Sequence, residues 1–176
     1  MSNIISPEIK EASKLTSEEW KEWTKTVWSI ANISDSIHPA VYPPEIPYRL
    51  IRMFSFVGET VLDPFSGMAT TGRVALQNNR SYIGFETNPV YHNESLRRLG
   101  ESVLPENGYD CRYEVSNSSS CDMSHIKENS VGIVVTSPPY WNKADYGEYD
   151  GNIGGFEYYD DFLGELQKVF AECYRV

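Results

Sequence analysis

The stretch TVLDPFSGMATTG, residues 60–72, followed by SYIGFE at residues 81–86, decides the fold class. A short apolar run from Thr60 to Asp63 passes through a turn bearing Pro64 and Gly67 into a helical pattern from about Thr70, and a second apolar run begins at Ser81. Further along come a helix carrying Leu96, Leu99 and Val103, the run CRYEV (111–115), the run VGIVV (131–135), and a last helix with Phe162, Leu166, Val169 and Cys173 on one face. Strand and helix alternate, which argues for βαβ units and an α/β fold with a parallel sheet flanked by helices. In the strand order 3-2-1-4, the turns after the first and fourth strands lie side by side at the topological switch point.

Upstream, Thr16 and Glu19 have capping-box spacing, and Trp20, Trp23 and Val27 recur at helical intervals. Residues 29–47 hold four of the ten prolines and read as an extended segment crossing a surface, after which Ile46, Leu50 and Met53 mark one face of a helix. With 176 residues, 40% of them hydrophobic, the chain suits one globular unit. No apolar stretch reaches the roughly 20 residues of a membrane span and the N-terminus lacks a signal-peptide core, so a soluble, cytoplasmic protein is expected. Cys111, Cys121 and Cys173 form no CxxC pair, and His38, His92 and His125 are scattered, so no metal site is expected. The formal charge of −10 argues against a duplex-binding surface, which needs cations to neutralise phosphates.

Three sites carry chemistry. At the first, Asp63, Pro64, Phe65, Ser66, Gly67, Thr70 and Thr71 form a strand-to-helix turn at the mouth of a ligand crevice: Gly67 permits close backbone approach and Asp63 can accept from a cationic or hydroxylated ligand. An ordinary glycine-bearing turn is the plainer alternative. The GxGxxG fingerprint and the P-loop lysine are both missing, which disfavours nicotinamide and nucleoside triphosphate ligands. At the second, Glu86 closes SYIGFE where an acidic residue can take ribose hydroxyls, and Asp122 follows the third strand similarly; a solvated carboxylate and a turn cap are the alternatives. At the third, Ser137, Pro138, Pro139 and Tyr140 follow VGIVV. Two prolines stiffen the backbone and free carbonyl acceptors, Ser137 adds a hydroxyl, and Tyr140 offers a flat face, which together suit an amino group on an aromatic base. A rigid turn with buried aromatics is the alternative.

Taken in order, these residues resemble the amino-group DNA methyltransferases of restriction–modification systems. DPFSGMATT is similar to that family's cofactor motif and TSPPY to its catalytic motif in the form usual for N4-cytosine enzymes. His38, Pro39 and Ala40, continuing through Tyr42-Pro43 and Ile46-Pro47, resemble the segment covering the methionine end of the cofactor. The resemblance implies a Rossmann-like S-adenosylmethionine-dependent fold, S-adenosylmethionine as cofactor, and ribose and adenine contacts at Glu86 and Asp122. It also implies a division into a cofactor-covering segment, residues 1–47, and a partial catalytic domain, residues 48–176. Ala69 departs from the pattern, which usually has glycine there: alanine fits if φ is negative and strains the turn if φ is positive.

The implied reaction is methylation of N4 of cytosine in DNA, the base being rotated out of the duplex, stacked on Tyr140 and held by Ser137 and the Pro138 carbonyl for direct attack on the sulfonium methyl. The absence of a cysteine near this turn disfavours a carbon-5 methylase. N6 of adenine is the other substrate with this hydrogen pattern, and Ser137 in place of an acidic or amide residue favours cytosine. A different class is a non-catalytic cofactor-binding part, or one subunit of a split enzyme. The family continues with further strands and a target-recognition region, so the fold is expected to be C-terminally incomplete. An exposed strand edge and the acidic balance then lead to weak DNA binding by this chain, with self-association or a complementary polypeptide.

Overall fold

The structure, a computed structural model, describes residues 5–34, 41–102, 109–142, 147, 149 and 151–176. Strands β1 (Thr60–Asp63), β2 (Ser81–Phe85), β3 (Tyr113–Ser116) and β4 (Ile133–Val134) form one parallel sheet in the order β3-β2-β1-β4. That is the expected order, with β1 at its interior. In register, Leu62 pairs with Ile83 on one side and Val134 on the other.

Alternation along β1 sends successive side chains to opposite faces, and each face has its own core. Val61 joins Tyr82, Val115 and Val135 against Ile51 of α3 (Glu45–Phe54), Val74 and Leu76 of α4 (Thr70–Gln77), and Leu99 of α5 (Pro89–Gly100). Leu62 joins Phe85, Met123 and Ile126 against Val169 of α6 (Tyr159–Arg175) on the other face. Helix α4 lies close on β2 because Gly72 has no side chain: a Cβ there would sit 2.5 Å from the Tyr82 ring. The end of α6 is tied to the loop before β4, with Arg175 donating to the carbonyls of Met123 at 2.7 Å and Ile126 at 3.0 Å.

Two N-terminal helices, α1 (Pro7–Ala12) and α2 (Ser17–Trp23), precede the sheet. The capping box forms as its spacing predicts: Glu19 N donates to Thr16 Oγ1 at 3.1 Å and Thr16 N donates to the Glu19 carboxylate at 2.8 Å. Helix α1 escaped the sequence reading because it buries no residue and so has no periodic apolar face. Arg52 pairs with Glu19 and stacks over Trp23, whose ring meets Tyr48 edge-on at 5.4 Å, and these contacts fasten α2 to α3.

One expectation needs adjustment. The buried stripe of α3 is Pro47 and Ile51, one position round from the half-buried Ile46, Leu50 and Met53. VGIVV packs on both faces, Ile133 against the first core and Val134 against the second, but both are half-buried and only Val135 is buried, because among the described residues β4 has the single neighbour β1 and so forms the exposed strand edge that was expected. Val103 lies outside the described residues. No helix among the described residues is long and apolar enough to cross a membrane.

Candidate active site

The turns that leave the carboxyl ends of all four strands open into one cleft, as expected of a parallel sheet at its switch point. The cleft encloses about 870 Å³, its solvent mouth included, and its walls include Phe65 and Gly67 after β1, Glu86 after β2, Ser118 to Cys121 after β3, and Ser137 and Pro139 after β4. Pro64, Ser66, Met68 and Thr70 complete the β1 side, and Val41 and Tyr42 cover it from the N-terminal segment. His38, Pro39 and Ala40 lie outside the described residues.

The β1 turn is held from beneath. Ser66 N donates to the Phe85 carbonyl at 2.8 Å and Ser66 Oγ shares a hydrogen bond with Tyr82 Oη, also 2.8 Å. Gly67 adopts φ +51°, and its N–H donates to Glu86 Oε2 at 2.8 Å. Ala69 has φ +57°, the left-handed conformation in which a Cβ is strained, and its side chain is fully buried. The turn therefore carries the strain that an alanine at this place implies for positive φ.

Asp63 and Thr71 do not line the cleft, contrary to their assignment as ligand contacts. Asp63 is 1% exposed and both its oxygens are engaged: Oδ1 accepts from Thr136 Oγ1 at 2.6 Å and from Phe65 N at 3.1 Å, and Oδ2 accepts from Thr71 Oγ1 at 2.6 Å. Thr71 Oγ1 is also bonded to Tyr42 Oη, and since the single Thr71 proton goes to Asp63, Tyr42 is the donor. Burial raises the Asp63 pKa against the lowering effect of these hydrogen bonds.

Glu86 does face the cleft. Its other oxygen accepts from Asn88 N at 2.7 Å, so the carboxylate bridges the β1 turn and the start of α5. Burial pushes its pKa up to about 7, opposed by the backbone N–H groups of Asn88, Gly67 and Thr87 and reinforced by the Asp63 charge. Asp122, by contrast, is exposed and accepts from Ser124 N at 2.9 Å, capping its own turn. The hydroxyl-rich wall comes instead from Ser118, Ser119 and Ser120, in the stretch that composition marks only as a polar loop. Asn117 Nδ2 anchors that loop to the Glu86 carbonyl at 2.7 Å.

Across the cleft, Ser137 and Pro139 reach the wall, Pro138 is half-buried beside them, and the Tyr140 ring is 54% exposed and outside the lining. Sequence reasoning missed Tyr149, Gly151, Asn152 and Ile153, which follow the catalytic turn and also line the cleft. Trp141 Nε1 donates to the Phe156 carbonyl at 2.9 Å and Asn142 N to Gly154 at 3.1 Å, so this segment is pinned back beside the turn. Among the described residues, no group of three or more His, Cys, Asp or Glu could hold a metal ion. The donors and walls present, a glycine turn at a helix N-terminus, a cleft-facing carboxylate, serine hydroxyls and the Phe65, Phe85 and Tyr91 rings, fit an adenosine-containing group.

Comparison with known proteins agrees with this geometry. Residues 2–97 match the family of DNA methylases that modify N6 or N4 amino groups. The chain is 43% identical over 84 residues to the type II methyltransferase M.MjaI of Methanocaldococcus jannaschii, a match covering 44% of this chain and 27% of that protein. It is 33% identical over 112 residues to M.BglI from Bacillus subtilis, covering 62% of this chain and 32% of the other. A provisionally assigned DNA modification methylase from Thermus thermophilus, solved with S-adenosyl-L-methionine, superposes with TM-score 0.50 and 34% identity over 66% of this chain and 43% of that one. The chain thus spans about a quarter to a third of the length of the curated relatives it matches. With the sheet order, the cleft and the matched residues in agreement, the chain belongs to the amino-group DNA methylases of restriction–modification type, a Rossmann-like family whose cofactor is S-adenosylmethionine.

Proposed function

We propose that the chain is the cofactor-binding and catalytic part of an enzyme that methylates N4 of cytosine in DNA, with residues 1–47 as its cofactor-covering segment and 48–176 as its catalytic body. The observation that carries this reading is the shared cleft: the Gly67 turn and Glu86 form one wall, and Ser137 and Pro139 the facing wall. When bound, S-adenosylmethionine supplies a methyl group activated by a sulfonium centre. Glu86 would accept from the ribose hydroxyls with the lone pairs its two backbone donors leave free, and the Ser118–Ser120 hydroxyls would meet the adenine edge in place of Asp122. Ser137 and the Pro138 carbonyl would hold the two hydrogens of the target amino group, and Tyr140 would stack on the base. Ser137 is too weak a base to keep a proton, so the proton lost from the methylated nitrogen passes to water. Positioning and electrostatics do the work, without a covalent enzyme intermediate.

Ser137, rather than an acidic or amide residue, supports cytosine over N6 of adenine. Calorimetric titration should detect S-adenosylmethionine binding, and nucleosides from DNA treated with the active assembly should contain N4-methylcytosine. N6-methyladenine in that digest would reassign the substrate, and no cofactor binding by folded protein would refute the site.

A second reading has its own support. Tyr140 is 54% exposed and the chain carries a formal charge of −10, so the face meant for the base is open to solvent there and the chain as a whole is poor in phosphate-binding cations. On this reading the chain binds cofactor but engages DNA weakly unless it self-associates or pairs with a complementary polypeptide. Sedimentation at several concentrations and DNA titrations at two salt levels separate the two: a stable monomer with salt-resistant, sequence-specific binding would remove the second.

A further inference from the structure

We propose that Thr136 is a positioning residue that couples the cofactor-binding turn to the base-holding turn through the buried Asp63 carboxylate; the inference rests on the function proposed above. Thr136 immediately precedes Ser137, does not line the cleft, and would touch neither cofactor nor base. Its hydroxyl donates to Asp63 Oδ1 at 2.6 Å, across from β4 to the end of β1.

Asp63 gathers what both turns depend on. The oxygen that takes Thr136 also takes the N–H of Phe65, in the turn that leads to Gly67. The other oxygen takes Thr71 in the first turn of α4, and Thr71 takes Tyr42 from the covering segment. One carboxylate, 1% exposed, therefore joins the covering segment, the cofactor turn, the N-terminus of α4 and the catalytic turn. Strand β4 pairs only Ile133 and Val134 with β1, and Val135 N adds one bond to the Leu62 carbonyl at 3.0 Å. Thr136 then continues the attachment by its side chain, so the placement of Ser137 is set by the same carboxylate that shapes the Gly67 turn.

The physical consequence is a coupling in both directions. Without the Thr136 donor, a desolvated carboxylate oxygen loses one of its two partners, and the cheapest repair is to move toward water or toward the remaining donors. Either movement drags Phe65 or Thr71, and with them the turn on which cofactor rests. A change at a residue remote from the cofactor thereby lowers cofactor affinity, and by linkage cofactor binding stabilises the placement of Ser137.

The test is calorimetric titration of the full chain with S-adenosylhomocysteine. Thr136→Val, which keeps volume and removes the donor, is expected to weaken binding about tenfold, and Thr136→Ser, which keeps the hydroxyl, to stay within about twofold of the parent. The double variant Thr136→Val, Thr71→Val should lose less than the product of the single losses, because both act through one carboxylate. Parent-like affinity for Thr136→Val, a Thr136→Ser variant as weak as Thr136→Val, or independent losses in the double variant would overturn the proposal. Should Thr136→Val not fold, Thr136→Cys supplies a weaker donor: intermediate affinity supports the coupling and parent-like affinity overturns it. If the parent itself binds no S-adenosylhomocysteine while folded, the proposed function fails and this inference with it.

Discussion

The two turns that face each other across the cleft are built to different standards. On the cofactor side, β1 pairs with neighbours on both sides, and Asp63, Ser66 and Glu86 are buried with their hydrogen bonds made inside the protein. On the target side, β4 has two ladder residues and one neighbour among the described residues, Ser137 to Pro139 are half-buried, and Tyr140 is 54% exposed. On the function proposed above, the cofactor half would be placed by its dense surroundings, and the target half by proline stiffness and the hydrogen bond from Thr136 to Asp63.

Substitutions ranked by their effect on stability probe that contrast. Asp63→Ala should cost about 3–5 kcal/mol in urea unfolding, since it strands the Thr136 and Thr71 hydroxyls and the Phe65 N–H in a dry interior. A loss below about 1 kcal/mol would mean that water replaces the carboxylate and that the cofactor side is looser than it looks. Glu86 comes next, through pH. Its folded pKa, near 7, lies above the ordinary 4.5, so between those values the unfolded chain holds fewer protons and stability contributed by Glu86 falls as pH rises. Glu86→Gln should remove a slope worth on the order of 3 kcal/mol over that window. Cofactor affinity should run the other way, rising with pH through about 7 as the ionised carboxylate becomes available to ribose hydroxyls, and Glu86→Gln should flatten that rise. A pH-independent affinity in the parent would detach Glu86 from the ribose.

Smaller effects follow. Ala69→Gly should raise stability by about 0.5–1 kcal/mol, relief of the left-handed strain outweighing loss of a buried methyl and added chain entropy. Tyr140→Ala should change thermal unfolding by no more than about 0.5 kcal/mol and leave cofactor affinity alone, as its half-exposed ring lies outside the lining. In an assembly that methylates DNA, the same variant should slow transfer about tenfold or more, because a base stacked on an aromatic ring gains about 1–3 kcal/mol. Equal losses of transfer and of cofactor binding would place Tyr140 on the wrong side of the comparison.

Much of this was legible because period and punctuation agree along the chain. TVLD, SYIGF and YEV are short apolar or β-rich runs closed by turn residues, and the helices between them carry caps or helical apolar spacing, so element order and sheet order could be read together. What could not be read was the direction in which a polar side chain points. Asp63 stands at a strand end, where carboxylates meet ligands, but its donors come from Thr71 and, 73 positions away in sequence, from Thr136. Asp122 has the right residue type, yet the loop carries Ser118 to Ser120 to the cleft first and leaves the aspartate to cap a turn. Tyr149, Gly151, Asn152 and Ile153 bear no motif before folding; their place follows from the bonds of Trp141 and Asn142 to Phe156 and Gly154. Gly151 beside Asn152 was the available hint, a turn signal soon after the catalytic motif.

The alanine in the left-handed turn also has a genetic consequence. Every alanine codon is one base change from a glycine codon, so the strain at Ala69 can be relieved in a single mutational step. A library of random variants of this gene, screened for heat resistance, should therefore return Ala69→Gly early and repeatedly. If such a screen instead recovers changes elsewhere and never this one, the Ala69 methyl packed beneath the turn contributes more to the protein than its backbone angle costs.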